Sequence, residues 1–411
     1  MTKTTLPPPE AHTPPAAAER LPISALLALA MTGFICIVTE TLPAGLLPQI
    51  SEGLGVSQSL AGQMITAYAL GSLLAAIPLT IATRGWRRRN VLLLTIVGFL
   101  AFNSLTALSS NYWLTLASRF CAGMAAGLAW SLLAGYARRM VAPHLQGRAM
   151  AIAMVGTPIA LSLGVPVGTW LGALVGWRTA FGIMSLLTLA LIVWVQAKVP
   201  DYPGQPGRET MPLRRVFTTP GVRPVLAVVI AWMLAHNLLY TYVAPFSALA
   251  GLAGQVDLVL LVFGVAALLS IWIVGRLVDR CLRAVVLVSL ATFALTALAL
   301  GLWGASAWVV YAGVAVWGLT FGGAATLLQT ALADTAGEGA DVALSMNVVA
   351  WNSAIAGGGI LGGVILEMQG VGALPWAVLA LLLVGFGMAW SARSQGFPSG
   401  HRASNTAVVG H

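Results

Sequence analysis

The sequence predicts an all-α membrane protein: twelve transmembrane helices in two pseudo-symmetric six-helix bundles. Three observations lead there. The 411 residues are 58% hydrophobic and only 8% charged, with a mean hydropathy of +0.89; a soluble chain carries about 25% charged residues. The apolar residues come in runs of roughly 20, the length that crosses a ~30 Å hydrocarbon core as a helix. A β-barrel would instead show alternating segments of about ten residues. Finally, the longest interior interruption, 199–221, contains "PDYPGQPGRETMPLRRVFTTP", whose Pro, Gly and charge content marks a linker. It divides the chain into near-equal halves, 21–198 and 222–393, each with six runs.

The expected spans are 22–48, 58–82, 91–109, 112–136, 148–172 and 177–198, then 222–248, 255–275, 284–303, 305–331, 342–366 and 371–392. The Pro/Ala-rich segment 1–20 reads as a disordered cytoplasmic tail. It is not a signal peptide, because the run after it is long enough to span. Segment 394–411 reads as a second cytoplasmic tail.

The net charge of +9 does not indicate nucleic-acid binding. The basic residues cluster between apolar runs, as in "RGWRRR" (84–89), "ARRM" (137–140) and "LRR" (213–215). That is the positive-inside pattern of cytoplasmic loops, not a basic stripe interleaved with aromatics. Of the 21 Lys and Arg, Arg178 alone falls on a loop assigned outside, and Arg119 sits within a span. Both termini are therefore expected in the cytoplasm. Cys36, Cys121 and Cys281 show no framework spacing, so neither a disulfide nor a metal site is implied. No GxxxxGK[ST], HExxH or GxSxG occurs, which argues against an ATP-driven pump or a soluble-type hydrolase, and the polar residues within the spans are isolated, without the paired constellation an intramembrane enzyme would need. "GGGILG" (357–362) matches GxGxxG but follows no strand. It reads as a glycine packing face.

The two halves share a position for one motif. "GRLVDRCLR" (275–283) follows the second span of the second half, and "LTIATRGWRRR" (79–89) stands in the equivalent place of the first. Thr83 occupies the position of Asp279.

"GRLVDRCLR" resembles the loop signature G-x-L-x-D-R-x-x-R of the major facilitator superfamily. "RFCAGMAAG" (119–127) looks like its fourth-span signature, and "GTPIALSLGVPVGTWLGALVGWR" (156–178) like the fifth-span signature of proton-coupled antiporters. "TETLPAGLLPQI", "YTYVAPF" and "WGLTFG" are similar to the branch of bacterial exporters of sugars, arabinose-type compounds and purine nucleosides. The resemblance covers roughly 21–393. It implies the major facilitator fold in the inner membrane, acting as a monomer among lipid, with protons and a small-molecule substrate as partners and no cofactor. It also implies a conformational switch. Gly275 would allow close helix approach, and Asp279 would meet Arg276, Arg280 and Arg283. Arg84, Arg87 and Arg88 would serve the first half, where the missing acid implies a weaker latch. Gly164, Pro166 and Gly168 would bend the fifth span.

Glu40 is the carboxylate that most needs explaining, because a charge in hydrocarbon costs a few kcal/mol. Either it lies at the outer rim, solvated by the following loop, or it faces a central cavity and carries a proton. Thr32, Cys36 and Glu40 share a helical face and could line a water-filled path. Arg119 either snorkels to the surface or organises a proton relay. His236, Asn237, Tyr240 and Tyr242 put polar groups on the seventh span, and Asn347, Trp351 and Asn352 do so on the eleventh. Amides and rings suit a polyhydroxylated or heteroaromatic ligand. Gln63, Tyr68 and Trp130 are weaker candidates. The expected function is proton-coupled efflux of a sugar or nucleoside. The alternatives are a chloramphenicol-like drug:proton antiporter and a non-transporting receptor of the same fold.

Overall fold

The computed structural model describes residues 20–204 and 211–398. Most of both expected tails lies outside the described residues. Among the described residues, ten stretches are long and apolar enough to cross a membrane. Two of them hold more than one membrane thickness. Helical assignment runs unbroken over Val256–Trp303, yet Cys281 inside it has φ −148° and ψ 43°. Phe263 and Phe293 both touch Trp317, with ring centroids 4.8 and 5.9 Å away. A straight helix would hold those two phenylalanines about 45 Å apart, so the chain reverses at Cys281. The other long stretch, 307–369, is broken at Gly337–Gly339, where Gly337 takes φ +54°, a backbone that side chains with a Cβ rarely adopt. The count is thus consistent with twelve spans.

These are α1 Ile23–Gly45, α2 Gln58–Thr83, α3 Arg88–Leu108, α4 Tyr112–Arg139, α5 Pro143–Val175 and α6 Trp177–Lys198. The second half has α7 Val222–Thr241, α8 256–280, α9 282–303, α10 307–336, α11 Ala340–Gln369 and α12 Leu374–Ser391. Caps start two of them: the Ser57 side chain accepts from the Leu60 amide, and Asn111 from the Leu114 amide. Three expected continuous spans are broken. α1 bends at Leu46 into a short helix Leu47–Leu54, and α7 breaks at Tyr242 before Val243–Ala248. Nearby Pro43, Pro48 and Pro245 cannot complete the helical ladder there. α10 breaks at Gly322–Gly323. The expected loop 276–283 is itself helical, apart from Cys281.

α1–α6 pack mainly on one another, as do α7–α12; α2 meets α11 and α5 meets α8 between the two sets. Glycine makes both crossings close. A Cβ on Gly358 would lie 2.8 Å from Asn237 Cβ, and one on Gly362 2.7 Å from the Tyr242 ring. On the next face of α11, a Cβ on Gly363 would lie 2.7 Å from Ser59 Oγ. "GGGILGG" therefore lets α11 approach α7 and α2 at once. In α5 a π-turn, Ala160–Gly164, stands just before Pro166 and presents Leu161 and Ser162 to Gly264 of α8. Gly164 and Gly168 pack on Phe34, Val38 and Leu42 of α1. The distortion thus has an identifiable cause in a π-bulge beside proline.

Hydrogen bonds between the halves cluster at one end of the molecule. Ser57 Oγ donates to Glu367 at 2.9 Å, and Gln63 Nε2 to the Gly359 carbonyl at 3.2 Å and Tyr242 Oη at 3.4 Å. Toward the other end, which carries Arg84–Arg89, Ser131 and Gln329 are exposed polar side chains on their helices. The two halves are thus joined by hydrogen bonds at the Ser57 end.

Candidate functional site

Glu40 is buried, with 9% of its surface exposed. α1 continues past it to Gly45, so its carboxyl lies within the helix packing and not in the loop that follows. Arg119, from α4, is fully buried and lies within electrostatic reach of the Glu40 carboxyl. Its Nη2 donates to the Thr39 carbonyl at 2.6 Å and, at 3.5 Å, to the Glu40 carbonyl. The guanidinium sits 4.9 Å from the Tyr68 ring and 5.5 Å from that of Phe181, within cation–π range. Its Nε and Nη1 have no partner. Arg119 therefore does not snorkel. It is held among aromatic rings and one backbone carbonyl, with two donors uncommitted beside a carboxylate.

Sequence reasoning missed the groups that shape this pocket. Asn103 Nδ2 donates to Thr39 Oγ1 at 3.0 Å, and its own Oδ1 is buried without a partner. A polar residue in the interior of an expected span was the available signal. Tyr68, placed among the weaker substrate candidates, donates its hydroxyl to the Cys36 carbonyl at 2.9 Å and is 1% exposed. It braces α1 against α2 and supports the guanidinium. Thr32 and Cys36 are fully buried, so the expected water-filled stripe is not open here. Trp130 packs over Gly33 of α1.

In the second half, His236, Tyr240, Phe263, Trp317 and Phe321 form one aromatic cluster. His236 stacks on Phe321 with centroids 3.5 Å apart and rings 1° from parallel. Trp317 Nε1 donates to His236 Nδ1 at 3.1 Å. The Thr241 hydroxyl and Asn347 Oδ1 are buried without hydrogen-bond partners, and the Tyr240 hydroxyl lies within reach of Thr41 on α1. Asn237 and Asn352 each turn one donor back to their own helix, on the Met233 and Val348 carbonyls. Trp351 is half-buried. Tyr242 departs from expectation. It is fully buried, and its hydroxyl donates to the Gly359 carbonyl at 2.7 Å. It closes the end of the molecule and is not open to a ligand in this conformation. A separate pocket of about 410 Å³ is lined by α8, α9 and α10 alone, so it does not lie between the halves.

The motif residues also find partners. Asp201, beyond α6, accepts from Arg87 Nε and, at 3.1 Å, from the Arg89 amide. Burial pushes its carboxyl up, but those hydrogen bonds and the two arginine charges outweigh it and hold Asp201 below the usual carboxylate range. The segment around it ties several elements together. Tyr202 O accepts from the Arg88 amide at 2.8 Å, Pro200 O from Tyr136 at 2.7 Å, and Pro203 O from Arg139 at 3.2 Å. The first half thus takes its acid from the linker, where Thr83 replaces the expected one. Arg88 also bonds the carbonyl of Arg84. In the second half, Arg276 lies over Trp272 at 3.5 Å. Arg283 donates to the carbonyls of Ala389, Trp390 and Phe397 at 2.9 to 3.1 Å, fastening the α8–α9 turn to the end of α12. A Cβ on Gly275 would meet nothing within 4 Å. The expected close helix approach is therefore not made at Gly275 in this conformation.

A model of the Major Facilitator Superfamily matches residues 29–358. The purine ribonucleoside efflux pump NepI of Shigella sonnei (strain Ss046) is 30% identical over 355 residues, covering 85% of this chain and 88% of the relative. NepI of Escherichia coli (strain K12) matches with the same identity and coverage. Among solved structures, a D-xylose-proton symporter superposes with a TM-score of 0.76 at 16% identity, over 90% of this chain and 98% of that one. At such low identity this likeness speaks for the fold alone. With the family matched over most of its length and the two-bundle helical architecture in place, the chain belongs to the major facilitator superfamily of membrane transporters.

Proposed function

We propose that this transporter exports a purine ribonucleoside or a sugar across the inner membrane in exchange for protons, with Glu40 as the proton carrier. The observation that carries the reading is the buried Glu40 carboxyl beside the fully buried Arg119. A buried carboxylate without a cation is strongly disfavoured, so protonation of Glu40 and the position of Arg119 are coupled. When Glu40 is protonated, Arg119 bonds the Thr39 carbonyl. When Glu40 loses its proton, the two uncommitted guanidinium donors turn to the carboxylate. The charge pattern of the loops favours a cytoplasmic Arg87 end, and the hydrogen bonds that join the halves at the Ser57 end favour an inward-facing reading of this conformation. There Glu40 releases its proton and substrate binds. The bundles rock about the midplane, and the outside reloads the proton. The name of the NepI relatives supports the nucleoside, as do the ring and amide groups of the second half.

The test uses everted vesicles with an imposed pH gradient and labelled purine ribonucleosides and pentoses. Glu40→Gln is expected to lose gradient-driven uptake while retaining substrate exchange at equal internal and external pH. Equal response of wild type and Glu40→Gln to the gradient would remove Glu40 from the coupling.

A further inference from the structure

We infer that Trp317 locks His236 into a single tautomer, so that the ring offers one fixed N–H donor to an acceptor atom of the transported ligand. The inference rests on the export reading above and adds what the second half recognises. Indole Nε1 can only donate. It lies 3.1 Å from His236 Nδ1, so Nδ1 must supply a lone pair. In a neutral imidazole the single ring proton then resides on Nε2. Stacking on Phe321 at 3.5 Å, with Tyr240 and Phe263 at 5.2 and 5.7 Å, holds the ring plane, and a turn of the ring about its own bond would break the Trp317 hydrogen bond.

Nε2 has no hydrogen-bond partner among the described residues, and 7% of His236 stays exposed. A ring N–H that meets no protein acceptor is free for a ligand atom. One turn further along α7, the buried Tyr240 ring stacks 5.2 Å from His236, so two polar side chains sit along one face of the helix. A second proton could enter Nδ1 only by expelling the Trp317 donor. His236 therefore reads the ligand and takes up no second proton, and coupling stays with Glu40. The fitting ligand has an acceptor in or on a ring: a purine nitrogen or carbonyl, or the oxygens of a sugar. An apolar drug would leave the donor unpaired.

Two measurements test this. In ¹⁵N-histidine spectra of the purified transporter, His236, assigned by its loss in His236→Leu, should show Nδ1 unprotonated and Nε2 protonated. Trp317→Phe should mix the tautomers. A protonated Nδ1 in wild type overturns the inference. In everted vesicles, His236→Leu should raise KM for inosine about tenfold, the factor expected for one lost buried hydrogen bond, with kcat nearly kept. His236→Gln places an amide N–H near Nε2 and should recover most of that loss. Wild-type KM in His236→Leu, or equal defects in Leu and Gln, overturns the inference while leaving export intact. If wild type moves no inosine but moves a pentose, the same comparison on that pentose decides. If it moves neither, the export reading falls, and the inference with it.

Discussion

Gly123→Ala offers a sharp test of how the first half is assembled. A Cβ on Gly123 would lie 2.7 Å from the Tyr68 carbonyl carbon and 2.9 Å from its Cα, closer still to the carbonyl oxygen. These are backbone atoms, so no flexible side chain can yield, and α4 must move off α2. Overpacking of this kind costs about 1–3 kcal/mol. The gain in helix propensity from Gly to Ala, about 1 kcal/mol, offsets part of it. Because the obstacle is backbone, the upper half of that range applies, leaving a net loss of about 1–2 kcal/mol. Gly135, on the same helix, meets nothing within 4 Å, so Gly135→Ala keeps the propensity gain alone. The pair should differ by about 2–3 kcal/mol, roughly a hundredfold in the unfolding equilibrium. The assay is unfolding in mixed micelles of increasing denaturing detergent, followed by tryptophan fluorescence. Gly123→Ala should also impair transport, since Arg119 stands one turn away over Tyr68. Equal stability of the two variants, or greater stability of Gly123→Ala, would refute the packing argument.

Two other outcomes follow from the ends of the molecule. Asp201→Asn should loosen the Arg87 end. A carboxyl held below its ordinary value stabilises the fold above the unfolded-state pKa, about 3.9, and loses that contribution as pH falls through the lower folded value. The difference between wild type and Asp201→Asn should therefore be constant from about pH 5 upward and vanish in strong acid, as read by protease cleavage of the linker. Tyr242→Phe deletes the 2.7 Å bond to Gly359. At about 1 kcal/mol for one hydrogen bond, the closed Ser57 end should open about fivefold more often. A cysteine placed at buried Thr66 should then react that much faster with a maleimide. An unchanged rate would mean that Tyr242 does not hold the seal.

The sequence by itself determined the membrane class, the two halves and the family. These follow from local composition: runs of apolar residues must cross lipid, and charges must stay near water, wherever the helices later pack. The glycines of 357–363 were legible as a packing face for the same reason, since a missing side chain has one main use in an apolar helix. Partnership was not legible. That Arg119 meets a backbone carbonyl of α1, that Asp201 supplies the acid lacking at Thr83, and that Trp317 faces His236 depend on segments 80 to 114 residues apart. Sequence spacing relates residues only within one helix. The bend of α5 was legible in Gly164, Pro166 and Gly168, but the break at Tyr242 was hidden, because proline and glycine permit a distortion while packing between the bundles selects it. Only the tertiary structure decided which polar residue is buried, which is braced and which keeps a free donor, because each depends on what the neighbouring helix brings to it.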